Sequence, residues 1–210
     1  MAATWRLLDP ASDVLAVISD HGQAPLHDLV DVNVVLAEAG LVQLAGHDVV
    51  PTSPMVGVGD GACAHLYLNL EGREPTGVVP PAEADELLRR AARALADVMV
   101  DGRAPVERVL ARDELAALGL DHAFSGDLVV FLAPGFSFAH GLAEPTQPSS
   151  YYGQHGHLAH HDAMAGMYFA RGAGIQRRRV DRVRAVDVAP RAARWLGIAL
   201  GAGTATSPGR

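Results

Sequence analysis

The sequence predicts an α/β fold, a mainly parallel sheet flanked by helices. Three observations carry that expectation. Val14-Leu-Ala-Val-Ile-Ser19 is an unbroken apolar run rich in β-branched residues, as a strand buried on both faces requires. A loop at Asp20-His21-Gly22 and a segment of helical period follow it, giving the strand–loop–helix order of layered α/β proteins. Residues 83–99 place Leu87, Leu88, Ala91, Ala92, Leu95 and Val98 on one helical stripe, with Arg89, Arg90 and Arg93 outside it.

The remaining elements follow from local signals. Asp28 is a suitable N-cap for a helix over 29–39, with Leu29, Val32, Leu36 and Ala39 on one face and Gly40 as its C-terminal stop. Residues 45–64 are rich in Gly and Pro and read as a loop or short hairpin. Leu66, Leu68 and Leu70 alternate, predicting a strand over 65–70. Further strands are expected at 106–111, 127–132 and 167–170, and a short helix at 113–118 that Gly119 ends. Residues 134–150 read as a Pro- and Ser-rich loop. A last helix, 187–196, carries Pro190 in its first turn. The Gly-, Thr- and Ser-rich stretch 201–210 is expected to be a disordered tail. Residues 1–44 and 120–200 form the expected core, and 45–119 an inserted α+β cap segment.

Composition narrows the function. Of 210 residues, 49% are apolar, enough for a sizeable core. The formal charge is -7 and every Lys/Arg position is Arg, so a nucleic-acid duplex is disfavoured as a partner. The one cysteine, Cys63, excludes an intrachain disulfide and a multi-cysteine zinc site, and fits a reducing compartment. The first residues lack an apolar segment of signal-peptide length, and no run has the roughly 20 apolar residues of a spanning helix. A cytoplasmic chain without membrane contact is expected.

Two segments carry metal-ligating chemistry. Asp20 and His21 stand at the C-terminal end of the first strand, the edge where open α/β sheets bind ligands. A carboxylate and a neutral imidazole suit Zn²⁺ or Mn²⁺, provided that a turn at Gly22 lets both side chains converge. The competing reading is local capping by Asp20 and a local hydrogen bond from His21. The second segment, 153–162, holds His155, His157, His160, His161 and Asp162. Gly153 and Gly156 flank His155 and favour a tight turn that aims this one side chain. Pairs such as His157 with His161 are open alternatives, as is a solvated His-rich loop.

In combination and order these motifs resemble the alkaline phosphatase superfamily, in particular its type I phosphodiesterase and nucleotide pyrophosphatase branch. Ser19-Asp20-His21-Gly22 matches the family's Ser-Asp-His-Gly, and Gly153-Gln154-His155-Gly156 its Gly-x-His-Gly. The stretch 164–172, and Val186 to Pro190 continuing to Leu196 and Gly197, resemble the strand and final helix that close such domains. Residues 67–79 resemble a segment of phosphohydrolase and mutase relatives. The resemblance implies a metal-dependent phosphoester hydrolase with two divalent ions, Zn²⁺ or Mn²⁺. Asp20 and His21 would be ligands of one ion, and His155 of the other. Small phosphoesters or nucleotides are the implied substrates. Two ions about 3.5–4 Å apart would activate a nucleophile and stabilise charge on the transferring phosphoryl oxygens.

The family carries upstream a first ligating Asp, a Thr or Ser nucleophile and an Asp-x-x-x-His pair, none of which has a counterpart here. The N-terminal part of the fold is therefore expected to lie outside this chain, supplied by a complementary chain or by upstream sequence. A non-catalytic remnant, or a partner-dependent metal-binding domain of the same fold, is the alternative. His157 stands where the family usually has Tyr, and Ala173 where it often has Pro.

Overall fold

The computed structural model describes residues 2–200. In chain order the elements are α1 (Ala2–Trp5), β1 (Val14–Ile18), β2 (Ala24–Asp31), α2 (Val32–Glu38), β3 (Leu44–Ala45), β4 (Asp48–Val49), β5 (Met55–Asp60), β6 (Cys63–Leu68), α3 (Ala84–Ala96), β7 (Val106–Ala111), β8 (Leu128–Leu132), β9 (Gly135–Ala139), β10 (Thr146–Pro148), β11 (Gly153–Gln154), β12 (Tyr168–Gly172) and α4 (Val188–Trp195). They fall into two compact units, residues 1–22 with 165–210 and residues 23–164. The tail 201–210 lies outside the described residues. No described helix is long and apolar enough to cross a membrane.

The smaller unit is built on an antiparallel pair, β1 with β12, in register from Val14 opposite Gly172 to Ile18 opposite Tyr168. The Ser19 amide donates to the Met167 carbonyl at 2.9 Å. The Ser19 Oγ accepts from the Met167 amide at 2.7 Å and closes the pair. The Arg171 guanidinium stacks over Trp5, and that of Arg191 lies over Tyr168. Here the expectation of a strand buried on both faces is corrected. The residues of β1 are half-buried or exposed, and Ile18 is 51% exposed.

The larger unit holds the core. Strands β5, β6, β8 and β7 form one antiparallel sheet in that spatial order. Segment 45–119 supplies three of its strands and β8 the fourth. Strand β2 pairs with β10 and β11 antiparallel and with β9 parallel. The buried cluster joins Val30 of β2, Val32, Val35 and Leu36 of α2, and Met55, Leu66, Leu68, Val130 and Leu132 of the sheet. Ala91 and Leu95 of α3, with Phe136 and Phe138 of β9, complete it.

The mainly parallel sheet is likewise corrected. Among the described strands only the β2–β9 ladder is parallel, and the fold is mixed α/β with mostly antiparallel pairing. The expected 29–39 helix is shorter. Ala24, Leu26, Asp28 and Val30 alternate inward with period 2, so Ala24–Asp31 is a strand and the helix starts at Val32. Its cap is Asp31, not Asp28: Asp31 Oδ1 accepts from the Asn33 and Val34 amides. Asp28 pairs instead with Arg103 at 2.9 Å. Gly40 does end the helix, with φ +69° and a Leu41 amide to Leu36 carbonyl bond behind it. Residues 45–64 hold hairpin strands, β4 paired with β3 and β5 with β6, whereas 134–150 is more than the expected loop because it contains β9 and β10.

Candidate metal centre

Asp20 and His21 lie immediately after β1. Asp20 Oδ1 accepts from the His21 amide at 3.0 Å, and His21 Nδ1 lies 2.7 Å from the Gly22 carbonyl. A carbonyl only accepts, so Nδ1 carries the proton and a neutral ring has its lone pair on Nε2. That Nε2 is 3.4 Å from Asp20 Oδ2. The two side chains come together at that distance, and the bonds around them, from the His21 amide to Asp20 and from the His21 ring to the Gly22 carbonyl, are those of the local reading. Two acceptors at this separation are satisfied together by a shared proton or a shared cation. A histidine whose second nitrogen donates to a carbonyl is also oriented as metal ligands normally are. The donor pair fits a Zn²⁺ or Mn²⁺ ion.

His155 belongs to the larger unit and follows β11. Its carbonyl accepts from the Ala62 amide at 2.9 Å, and its own amide donates to Gln154 Oε1. Gly156 has φ +89°, and a Cβ there would stand 2.9 Å from the Ala62 nitrogen. The β5–β6 turn therefore holds the His155 backbone directly, and only glycine fits at 156. Of the two glycines flanking His155 only Gly156 has a positive φ; Gly153 belongs to β11.

The rest of the His-rich segment is anchored in the same unit. His157 is buried, and its Nδ1 donates to the Leu132 carbonyl of β8 at 2.9 Å. Burial holds its pKa below the ordinary imidazole value. Leu158 enters a second apolar cluster with Leu110, Leu115, Val129 and Phe131. His160 and His161 then meet Glu107 of β7. His161 Nε2 lies 2.7 Å from one carboxylate oxygen, and His160 Nε2 lies 3.2 Å from the other. Glu107 was invisible to sequence reasoning: it stands 54 positions from His161, in a strand with no motif around it. The two histidine rings are close, with centroids 4.1 Å apart, whereas His157 meets His161 edge-on at 6.3 Å.

Two other groups are accounted for structurally. The Arg73 guanidinium is held by Asp127 at 2.7 and 2.8 Å, by Glu74 at 2.7 Å and by the Leu68 carbonyl. Burial alone would raise the Asp127 carboxyl, but bonds from Arg73 and the Leu68 amide hold it below its usual value. Burial pushes the Cys63 thiol up to about 11, which keeps it protonated and unsuited to nucleophilic work.

The family model for type I phosphodiesterase / nucleotide pyrophosphatase matches residues 1–161. The chain belongs to that family. Among solved structures it is similar to human ectonucleotide pyrophosphatase/phosphodiesterase 5. The TM-score is 0.60 at 11% identity, covering 90% of this chain and 42% of the human one. It is also similar to the murine counterpart, an inactive variant in complex with AMP. There the TM-score is 0.54 at 13% identity, with 89% and 41% covered. At these identities the likeness concerns the fold. The chain spans about two fifths of the length of these structures. No match is found among curated protein sequences.

Proposed function

We propose that this chain is the C-terminal half-site of a metal-dependent phosphoester hydrolase of the phosphodiesterase/nucleotide pyrophosphatase type. Asp20 and His21 are the ligands of one divalent ion, and His155 is a ligand of a second. The observation that carries this reading is the convergence of Asp20 Oδ2 and His21 Nε2 at 3.4 Å, with His21 Nδ1 held by the Gly22 carbonyl. Family membership supports it, and so does the close backbone packing at Gly156 beside His155.

Divalent ions in such a site supply positive charge to the transferring phosphoryl oxygens. This chain's residues supply the positioning. The Gly22 carbonyl fixes the His21 tautomer, so that Nε2 presents a lone pair. Asp20 places anionic charge beside that nitrogen, and the Ala62–His155 backbone bond holds the backbone that carries the second imidazole. The proposed ligands Asp20, His21 and His155 do not include a nucleophile. Substrates are small phosphoesters or nucleotides, a class to which the AMP bound by the murine relative belongs.

The test is hydrolysis of a chromogenic phosphodiester with Zn²⁺ or Mn²⁺, by residues 1–210 alone and by a form extended upstream. Little turnover is expected from the chain alone. Robust turnover is expected from the extended form, abolished by Asp20→Ala or His155→Ala. Activity in the extended form that survives both substitutions overturns the assignment. An extended form that binds metal but never turns over favours the alternative, a non-catalytic metal-binding domain of the same fold.

A further inference from the structure

Glu107, His160 and His161 offer one carboxylate oxygen and two imidazole nitrogens, all within 4.8 Å of one another. We propose that these three side chains form a divalent-cation site of zinc type, separate in its residues from Asp20, His21 and His155. Its role is to clamp the 153–164 segment onto strand β7. It does not depend on the phosphohydrolase reading.

The backbone builds this cluster from two sides. Strand β7 shifts register between Val106 and Arg108, which face Leu132 and Phe131 in succession, so Glu107 is the extra residue of a β-bulge. A bulge re-aims its side chain out of the regular alternation, and bulges gather beside functional sites. On the other side, the turn bearing the histidines is pinned at three points. The His155 carbonyl accepts from Ala62, His157 Nδ1 donates to Leu132, and Leu158 is buried among Leu110, Leu115, Val129 and Phe131. The His161 amide closes the turn onto the Leu158 carbonyl. Ligands carried on packed backbone lose little freedom on binding, which favours a defined site over casual capture.

The donor set matches the ion. Zn²⁺ takes imidazole nitrogen and carboxylate oxygen at about 2.0–2.2 Å, so tetrahedral neighbours lie roughly 3.4 Å apart. The nitrogen–oxygen separations, 3.2 Å from His160 to one carboxylate oxygen and 2.7 Å from His161 to the other, are hydrogen-bond lengths that widen toward this spacing when an ion replaces the protons. Without an ion, each Nε2 must carry a proton to bond the glutamate. Binding the ion needs the Nε2 lone pairs: a neutral ring gives up its Nε2 proton and takes one up at Nδ1, and only a doubly protonated ring releases a proton to solvent. Three protein ligands leave the fourth position to water.

A further donor lies next to this group. His157 is 6% exposed, and its Nε2 has no hydrogen-bond partner among the described residues. Its Nδ1 is committed to Leu132, so Nε2 is the lone-pair nitrogen of the neutral ring. Buried polar atoms without partners are rare and call for an explanation. A cation or its bound water beside His161 supplies one.

The experiment is Co²⁺ titration of the metal-free full chain, read from the visible ligand-field bands, with Zn²⁺ competition. Four proteins are compared: wild type, Glu107→Gln, His160→Ala/His161→Ala, and Asp20→Ala/His21→Ala. The expected result is a tetrahedral-type spectrum that persists in the Asp20/His21 variant. Affinity falls by about tenfold or more in the other two. Nitrogen-15 spectra of histidine-labelled wild type give a readout independent of variant folding: Zn²⁺ should shift the Nε2 signals of His160 and His161. The proposal is overturned if Glu107→Gln and the double histidine variant bind as wild type does. It is also overturned if the His160 and His161 signals stay unmoved at saturating Zn²⁺, or if the spectrum is lost only with Asp20 and His21.

Discussion

Replacing Gly156 by alanine tests how the His155 turn is held. The residue has φ +89°, a region that costs an L-residue about 1–2 kcal/mol. The new Cβ would stand 2.9 Å from the Ala62 nitrogen, a backbone atom that cannot rotate away. Relief requires the two segments to part, which weakens the 2.9 Å bond from the Ala62 amide to the His155 carbonyl. Such a bond contributes about 1 kcal/mol net. The expected total is about 2–3 kcal/mol, or roughly 5–10 °C in Tm for a chain of this size. Gly46→Ala is the matched control, because Gly46 has φ +67° and nothing within 4 Å of the added Cβ. It should lose only the conformational part. The assay is urea and thermal unfolding followed by far-UV circular dichroism. If Gly156→Ala is no more destabilising than Gly46→Ala, the contact between the β5–β6 turn and the His155 turn does not constrain the site as argued.

Other expectations follow from the same geometry. The buried Asn33 amide bonds both the amide and the carbonyl of Gly57, so Asn33→Ala should cost about 2–3 kcal/mol in urea unfolding. Leu95 is fully buried beneath α3, and Leu95→Ala should cost about 2–5 kcal/mol by the same measurement. The His65 ring is held below its ordinary pKa by burial and accepts at Nδ1 from the Gly126 amide. Its contribution is complete above the unfolded value of about 6.5 and is lost as pH falls. Wild type should therefore lose stability between about pH 7 and 5 more steeply than His65→Gln. Asp127 is depressed too, so its stabilisation is present above about pH 4 and lost in stronger acid. In Asp127→Asn the acid limb of the stability–pH curve should flatten.

The elements legible in the sequence are those whose period is unambiguous. The stripe through Leu88, Ala91 and Leu95 gave the α3 helix, the alternation of Leu66 and Leu68 the β6 strand, and Val106–Ala111 the whole of β7. Illegible parts have physical reasons. Leu29, Val32 and Leu36 fit a helical spacing although the chain changes from period 2 to 3.6 between them, at Asp31. Strand β9 hides between Pro134 and His140 because its five residues, Gly-Phe-Ser-Phe-Ala, are too few to show alternation, yet Phe136 and Phe138 fill the core. Antiparallel pairing is not encoded in an apolar run, so Val14–Ile18 could not announce its partner β12. At the candidate site, the motifs around Asp20, His21 and His155 were readable as motifs because their signals are local. Glu107 was not, since only the bulge and the long-range fold bring it to His160 and His161.

The most direct measurement on the central claim is anomalous diffraction at the zinc edge from crystals of the zinc-loaded chain. The account predicts a peak within bonding distance of Asp20 Oδ and His21 Nε2, with the His21 Nδ1 bond to the Gly22 carbonyl intact, and lost in Asp20→Ala crystals. Zinc bound elsewhere on the chain, with Asp20 and His21 carrying none at saturating metal, would contradict it.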